Sequence, residues 1–166
     1  MNRLKSRLAL LVSLMLIIPS LGIIWYGCTK GPPETISYTT NEPTVTIITP
    51  ADGSTIAVPA GDRGEIMVSV NVTNFDLVNK IGGTNVPGEG HIIYYFNING
   101  DDVPVEQGVP ATIGPGETVA TTSTSYTWPN VGPDAPYIFS VQLVNNDQTP
   151  LNPPVVATVS IETATK

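Results

Sequence analysis

From residue 44 onward, apolar and polar side chains alternate almost one for one. In residues 65–73, Ile66, Val68, Val70 and Val72 fall on one face and Met67, Ser69, Asn71 and Thr73 on the other. Residues 91–98 set Ile92, Tyr94, Phe96 and Ile98 against His91, Ile93, Tyr95 and Asn97. Residues 121–128 oppose Tyr126 and Trp128 to Ser125 and Thr127. Residues 137–144 align Tyr137, Phe139, Val141 and Leu143, and residues 155–162 align Val155, Ala157, Val159 and Ile161. Residues 44–49 are β-branched throughout, and a weaker strand runs through Val103 and Val105. A period of two is the mark of a strand with one buried and one wet face. Past Cys28 no helical period is long enough to matter, and "FDLVNK" (75–80) predicts one turn of helix at most.

About seven such segments, parted by Gly, Pro and Asn turns, predict an all-β domain over residues 44–166: an antiparallel β-sandwich of immunoglobulin or fibronectin-III type. "TPADGST" supplies one turn, and Asn99-Gly100 predicts a type I′ hairpin, because both central residues of that turn need positive φ. The run Asn97, Asn99, Asp101 is not a calcium loop: Asp102 and Gly108 stand where such a loop needs Gly and Glu. In "GPDAPYIF", Tyr137 starts a strand two residues before Phe139. That spacing predicts a tyrosine corner, its phenol bonded to backbone a few residues upstream, with Phe139 in the place of the second bridging cysteine; the plainer alternative is one more core aromatic.

The N-terminal portion follows a different rule. Arg3, Lys5 and Arg7 precede an apolar run from Leu8 to Ile24, broken only by Ser13, Pro19, Ser20 and Gly22. As a helix this run would reach roughly 25 Å, close to the thickness of a bilayer's hydrocarbon. Residues 1–28 therefore predict an export segment, a membrane-spanning or signal helix with its basic end in the cytoplasm. Gly27-Cys28 after the run resembles a lipobox with Cys28 as the lipidated residue, although Trp25 and Tyr26 stand where that motif prefers small side chains. An uncleaved anchor with Trp25 and Tyr26 at the interface is the competing reading; ordinary signal cleavage lacks a small-x-small site. Residues 29–43 are rich in Pro and Thr and predict an extended linker. The expected localisation is an exported, membrane-anchored domain on the extracytoplasmic side.

Charge narrows the partners. From Cys28 onward Lys30, Arg63, Lys80 and Lys166 face 14 acids, a formal −10. Without clustered cations, nucleic acid is excluded as a partner. Cys28 is the sole cysteine, so no internal disulfide can form, and His91, the sole histidine, makes neither a hydrolytic triad nor a transition-metal site without partners. No nucleophile–base pair or phosphate loop appears, and the chain reads as a non-enzyme with no cofactor.

"TPADGSTI" (49–56), "GEGHIIYYFN" (88–97) and "SVQLVNNDQTPL" (140–151) together resemble a group of uncharacterised prokaryotic surface or secreted domains, often lipoproteins. That group shares a Gly-His-x-His-x-Tyr strand and an Asn-Asp-His turn over an Ig-like fold. The resemblance covers about residues 44–163 and rests on Gly90, His91, Asn145, Asn146 and Asp147. Ile93 and Gln148 replace the pattern's other histidines, which weakens any metal site the resemblance implies.

The expected function is a membrane-tethered protein-binding or adhesion module. Its anticipated binding surface is His91, Ile93, Tyr95, Ile138 and Val156, apolar or unusual residues on faces where polar ones belong. The loop 74–90 is a second candidate surface. The alternatives are a passive spacer of the cell envelope and a weak metal binder using His91, Asp147 and Glu89. The expected partners are the membrane, through the anchor or lipid, and an envelope protein.

Overall fold

A computed structural model describes residues 41–111 and 116–166. Cys28, the predicted export segment 1–28 and most of the predicted linker lie outside the described residues. Among those described, no helix is long and apolar enough to cross a membrane.

Among the described residues nine strands form, in chain order: β1 (Thr44–Thr49), β2 (Thr55–Val58), β3 (Gly64–Thr73), β4 (Asp76–Leu77), β5 (Glu89–Phe96), β6 (Thr118–Thr121), β7 (Ser125–Val131), β8 (Pro136–Val144) and β9 (Pro150–Thr165). They make two sheets. The smaller runs β1-β3-β7, antiparallel throughout. The larger runs β2-β9-β8-β5-β4, with β6 also paired to β5. Two of its pairings are parallel, β2 with β9 and β4 with β5. Among the described residues this is an all-β, sandwich-like architecture.

The alternation determines which side chains meet between the sheets. Val45, Ile66, Val68, Val70 and Trp128 come from the smaller sheet; Ile92, Tyr94, Phe139, Val141, Leu143, Val159 and Ile161 come from the larger. Each fully buried aliphatic or aromatic of this set contributes roughly 1.5–3 kcal/mol. Phe96 links the layers, stacking on Trp128 of the facing sheet at 5.2 Å and on Tyr137 of its own at 5.5 Å. The Gly132 N–H donates to the Tyr137 hydroxyl at 2.9 Å, five residues upstream. Phe139 is wholly buried behind it.

Three local expectations fail. No strand forms at Val103 and Val105, and residues 75–80 give the two-residue β4 instead of a helical turn. Asn99-Gly100 does not close a hairpin. Asn99 has φ −66°, caps a 3-10 turn (Gly100–Asp102), and its side chain accepts the Asp101 N–H at 3.3 Å. The left-handed residue is Asn97, at φ 56°, whose side-chain oxygen accepts the Ile138 N–H at 3.3 Å. The chain therefore leaves β5 sideways and crosses the outer face of the larger sheet. Gly100 is needed for closeness: a Cβ there would lie 2.2 Å from Thr158 Oγ1.

Candidate functional site

That crossing segment decides the fate of the anticipated surface. On β5, the face turned away from the sandwich core carries His91, Ile93 and Tyr95, in register with Val144, Gln142 and Ser140 of β8. Residues 97–111 lie over it as a cover. Val103 and Ala111 of the cover pack with Ile93, Tyr95 and Val144 in a second apolar cluster, flanked by Ile98, Ala120 and Val156. Polar bonds pin it in place. The Tyr95 hydroxyl donates to Gln142 Oε1 at 2.8 Å, Gln142 Nε2 donates to the Pro104 carbonyl at 2.8 Å, and Ser140 Oγ donates to the Ile98 carbonyl at 2.7 Å.

Ile93 and Tyr95 are consequently 0% and 1% exposed, Ile138 and Val156 are half-buried, and His91 is buried. The five residues form no exposed apolar patch. The physical reason is that β5 belongs to a central strand covered on both sides, so both of its faces are apolar.

His91 sits opposite Val144, at the base of the turn 145–149 that joins β8 to β9. Among the described residues neither of its ring nitrogens has a hydrogen-bond partner, and the Asn146 Oδ1 is also buried without one. Burial pushes the imidazole below its ordinary pKa, while the Asp147 charge pulls the other way. The two carboxylates named with it are engaged elsewhere. Glu89 Oε1 accepts Lys80 Nζ at 2.7 Å and Asn146 Nδ2 at 2.9 Å, and these bonds hold its pKa below the usual value. Asp147 Oδ1 accepts the Thr149 N–H at 3.0 Å and the Thr149 hydroxyl at 2.6 Å. Burial pushes the Asp147 carboxyl up, but these bonds and Asn85 outweigh it and leave it below the usual value. Among the described residues no group of three or more His, Cys, Asp and Glu side chains gathers as a metal set. His91, Asp147 and Glu89 thus do not converge as ligands.

The concave surface lies elsewhere, at the end of the sandwich where β1 and β5 begin and β3 and β8 finish. A groove of about 740 Å³ opens there. Its floor is Phe75, Leu151 and Val155, which continue the main core outward. One wall is residues 85–88, from the loop already marked as a candidate surface; the others are residues 41–43, 107–108 and 145–153. Four prolines (Pro43, Pro87, Pro150 and Pro153) stiffen the rim, and the amides of Asn41, Asn85, Gln107 and Asn152 stand among them. Among the described residues Glu42 is the single charged side chain of the lining. Val86, on the rim, is 43% exposed.

The 145–149 turn holds these walls together. Gly82 N–H donates to the Asn146 carbonyl at 2.6 Å, Asn146 Nδ2 to the Thr84 carbonyl at 3.0 Å, and Asp147 N–H to Asn85 Oδ1 at 2.9 Å. The cover is attached to the same place: Ala111 N–H donates to the Gln148 carbonyl at 3.0 Å. Gln107 Nε2 adds a bond to the Leu151 carbonyl at 3.1 Å.

Sequence reasoning reached one wall of the groove, the 74–90 loop, and missed the others. Their signal was present in "NNDQTPLNPP" (145–154), where amides and prolines alternate with a lone leucine. No protein-family model matches the chain, and no curated protein matches it.

Proposed function

We propose that the protein is a membrane-tethered, extracytoplasmic domain of immunoglobulin or fibronectin-III kind that binds a polypeptide partner in the groove at the end of its sandwich. The observation that carries the reading is the groove's lining. An apolar floor with side-chain amides around it suits an extended peptide, whose apolar side chains need burial and whose backbone offers both donors and acceptors. A lining without a cation does not suit phosphate or another anion. The single Glu42 and the acidic body favour a segment with Lys or Arg beside its apolar residues. The sandwich type is supported by the bond between Gly132 and Tyr137 and by Phe139 behind it. The tether is supported by the basic–apolar start and by Gly27-Cys28.

Site-specific photo-crosslinking of the full-length chain in its native membrane tests this. A crosslinker at Val86 should capture one discrete polypeptide, whereas one at Ile48, on the smaller sheet and more accessible still, should not. No adduct at Val86, or the same adducts at both positions, would leave a spacer as the better account. Mass spectrometry of the mature N-terminus separates a lipidated Cys28 from an uncleaved anchor.

A further inference from the structure

Both main walls of the groove are fastened to the turn 145–149, and at the base of that turn lies a wholly buried imidazole whose two nitrogens have no partner among the described residues. A neutral imidazole has one donor and one acceptor, and leaving both unmet in a buried place is unfavourable. A protonated one has two donors and a charge, and in the same place it must find acceptors or solvent.

The charged groups around it leave one counter-ion. Asp147 comes from the turn and its charge acts on His91. Glu89, two residues along the same strand, is neutralised by Lys80 of the 78–83 segment. The carboxylates of the cover, Asp101, Asp102 and Glu106, are exposed to solvent. Asp147, however, already holds Thr149 by two bonds, and its own N–H holds Asn85. The buried acceptor without a partner, Asn146 Oδ1, belongs to the residue whose carbonyl holds Gly82.

We propose that His91 is a proton-operated latch on the groove: neutral, it leaves the turn closed and the walls attached; taking up a proton from solvent, it draws on Asp147 and Asn146, and the turn releases the walls. The proposal rests on reading the groove as the binding site, but the latch itself acts on bonds within the chain. The direction follows from linkage. Burial depresses the imidazole's proton affinity in the closed state, and an open state recovers the ordinary value of 6.5. The closed state is therefore at full strength above that value and loses ground as pH falls below it. Thr149, Asn145 and Asn85, which line the groove, move with the turn.

Amide hydrogen exchange of the full-length chain in detergent, at about pH 7.5 and about pH 5.5 and corrected for the chemical exchange rate, tests the latch. The amides of Gly82, Ala111 and Asp147 should lose protection about tenfold at the lower pH, while those of Val68 and Val141 in the core keep theirs. His91→Gln and His91→Leu should each abolish the response; the glutamine variant carries the test if the leucine variant does not fold. Unchanged protection in the parent chain, or the same loss in a folded His91 variant, overturns the proposal. Crosslinking from Val86 at both pH values separates it from the groove reading. Amides that respond without any capture leave the latch standing and remove the binding site; capture with unresponsive amides does the reverse.

Discussion

The Tyr95 hydroxyl and the Gln142 side chain, 47 residues apart in sequence, meet at 2.8 Å on the outer face of the larger sheet, both sealed from solvent. Gln142 hands the connection on to the Pro104 carbonyl. Through that one amide, two adjacent strands are bonded to the segment that crosses them. Tyr95→Phe removes the donor and leaves Gln142 Oε1 buried without a partner, so it should cost about 1–3 kcal/mol. Gln142→Leu strands both the phenol and the Pro104 carbonyl and should cost more. Denaturant midpoints read the order, and faster amide exchange at Val103 and Ala111 would localise the loss to the cover.

Gly90 and Gly88 are close in sequence but need glycine for different reasons. At Gly90 a Cβ would lie 2.0 Å from the Val144 carbonyl oxygen and 2.8 Å from Phe75 Cζ. The backbone of β8 cannot retreat without breaking its register with β5, so Gly90→Ala should cost upwards of about 3 kcal/mol. Gly88 has open space around it but φ +83°, and Gly88→Ala should cost only about 1–2 kcal/mol. Equal losses in chemical denaturation would contradict this account of the close approach.

Tyr137→Phe leaves the Gly132 N–H without its acceptor, in a half-buried place. A loss of about 1–2 kcal/mol is expected, with the core otherwise unchanged. The companion substitution Gly132→Ala would put a Cβ 3.1 Å from the same phenolic oxygen. Thermal unfolding of the two single variants and of the pair should show them to be less than additive, since both disturb one bond.

Acid should destabilise the fold in a second, lower stage. Glu89, Asp134 and Asp147 all hold their protons less tightly than free carboxyls. The causes are Lys80 and Asn146 for Glu89, and the Thr165 hydroxyl and amide for Asp134; at Asp147 burial opposes the shift, and the hydrogen bonds of Thr149 and Asn85 together outweigh it. Groups depressed in the folded state lend stability above their ordinary values and withdraw it as pH falls through the folded ones. Unfolding free energy should therefore decline below about pH 4.5, and Asp134→Asn should flatten part of that decline without touching any change near neutrality.

The alternation told correctly which residues of β3, β7, β8 and β9 face inward, although at β8 the other face, with Ser140, Gln142 and Val144, is buried beneath the cover as well. It misled at β5. There Ile92, Ile93, Tyr94 and Tyr95 run on without a polar break, and continuity of that kind means burial on both sides. Taken as an exposed apolar face, it gave the wrong surface. The cover was hidden because Asn99-Gly100 has the composition of a tight hairpin, while the side-chain bond from Asn99 to Asp101 and the closeness of Gly100 to Thr158 selected another path. Neither contact leaves a local signature. The groove was half readable: its long loop stood out, but its floor is assembled from Phe75, Leu151 and Val155, which only tertiary folding brings to one end.

The groove lies at the end of the domain where the chain enters it, and Asn41, Glu42 and Pro43 are at once the last residues before β1 and part of the groove's edge. Anything bound there meets Asn41, Glu42 and Pro43 themselves. On the tethered, peptide-binding reading proposed above, the length of chain before Asn41 sets the clearance for a partner, and deletions upstream of Asn41 should crowd out large partners while leaving short soluble peptides free to bind.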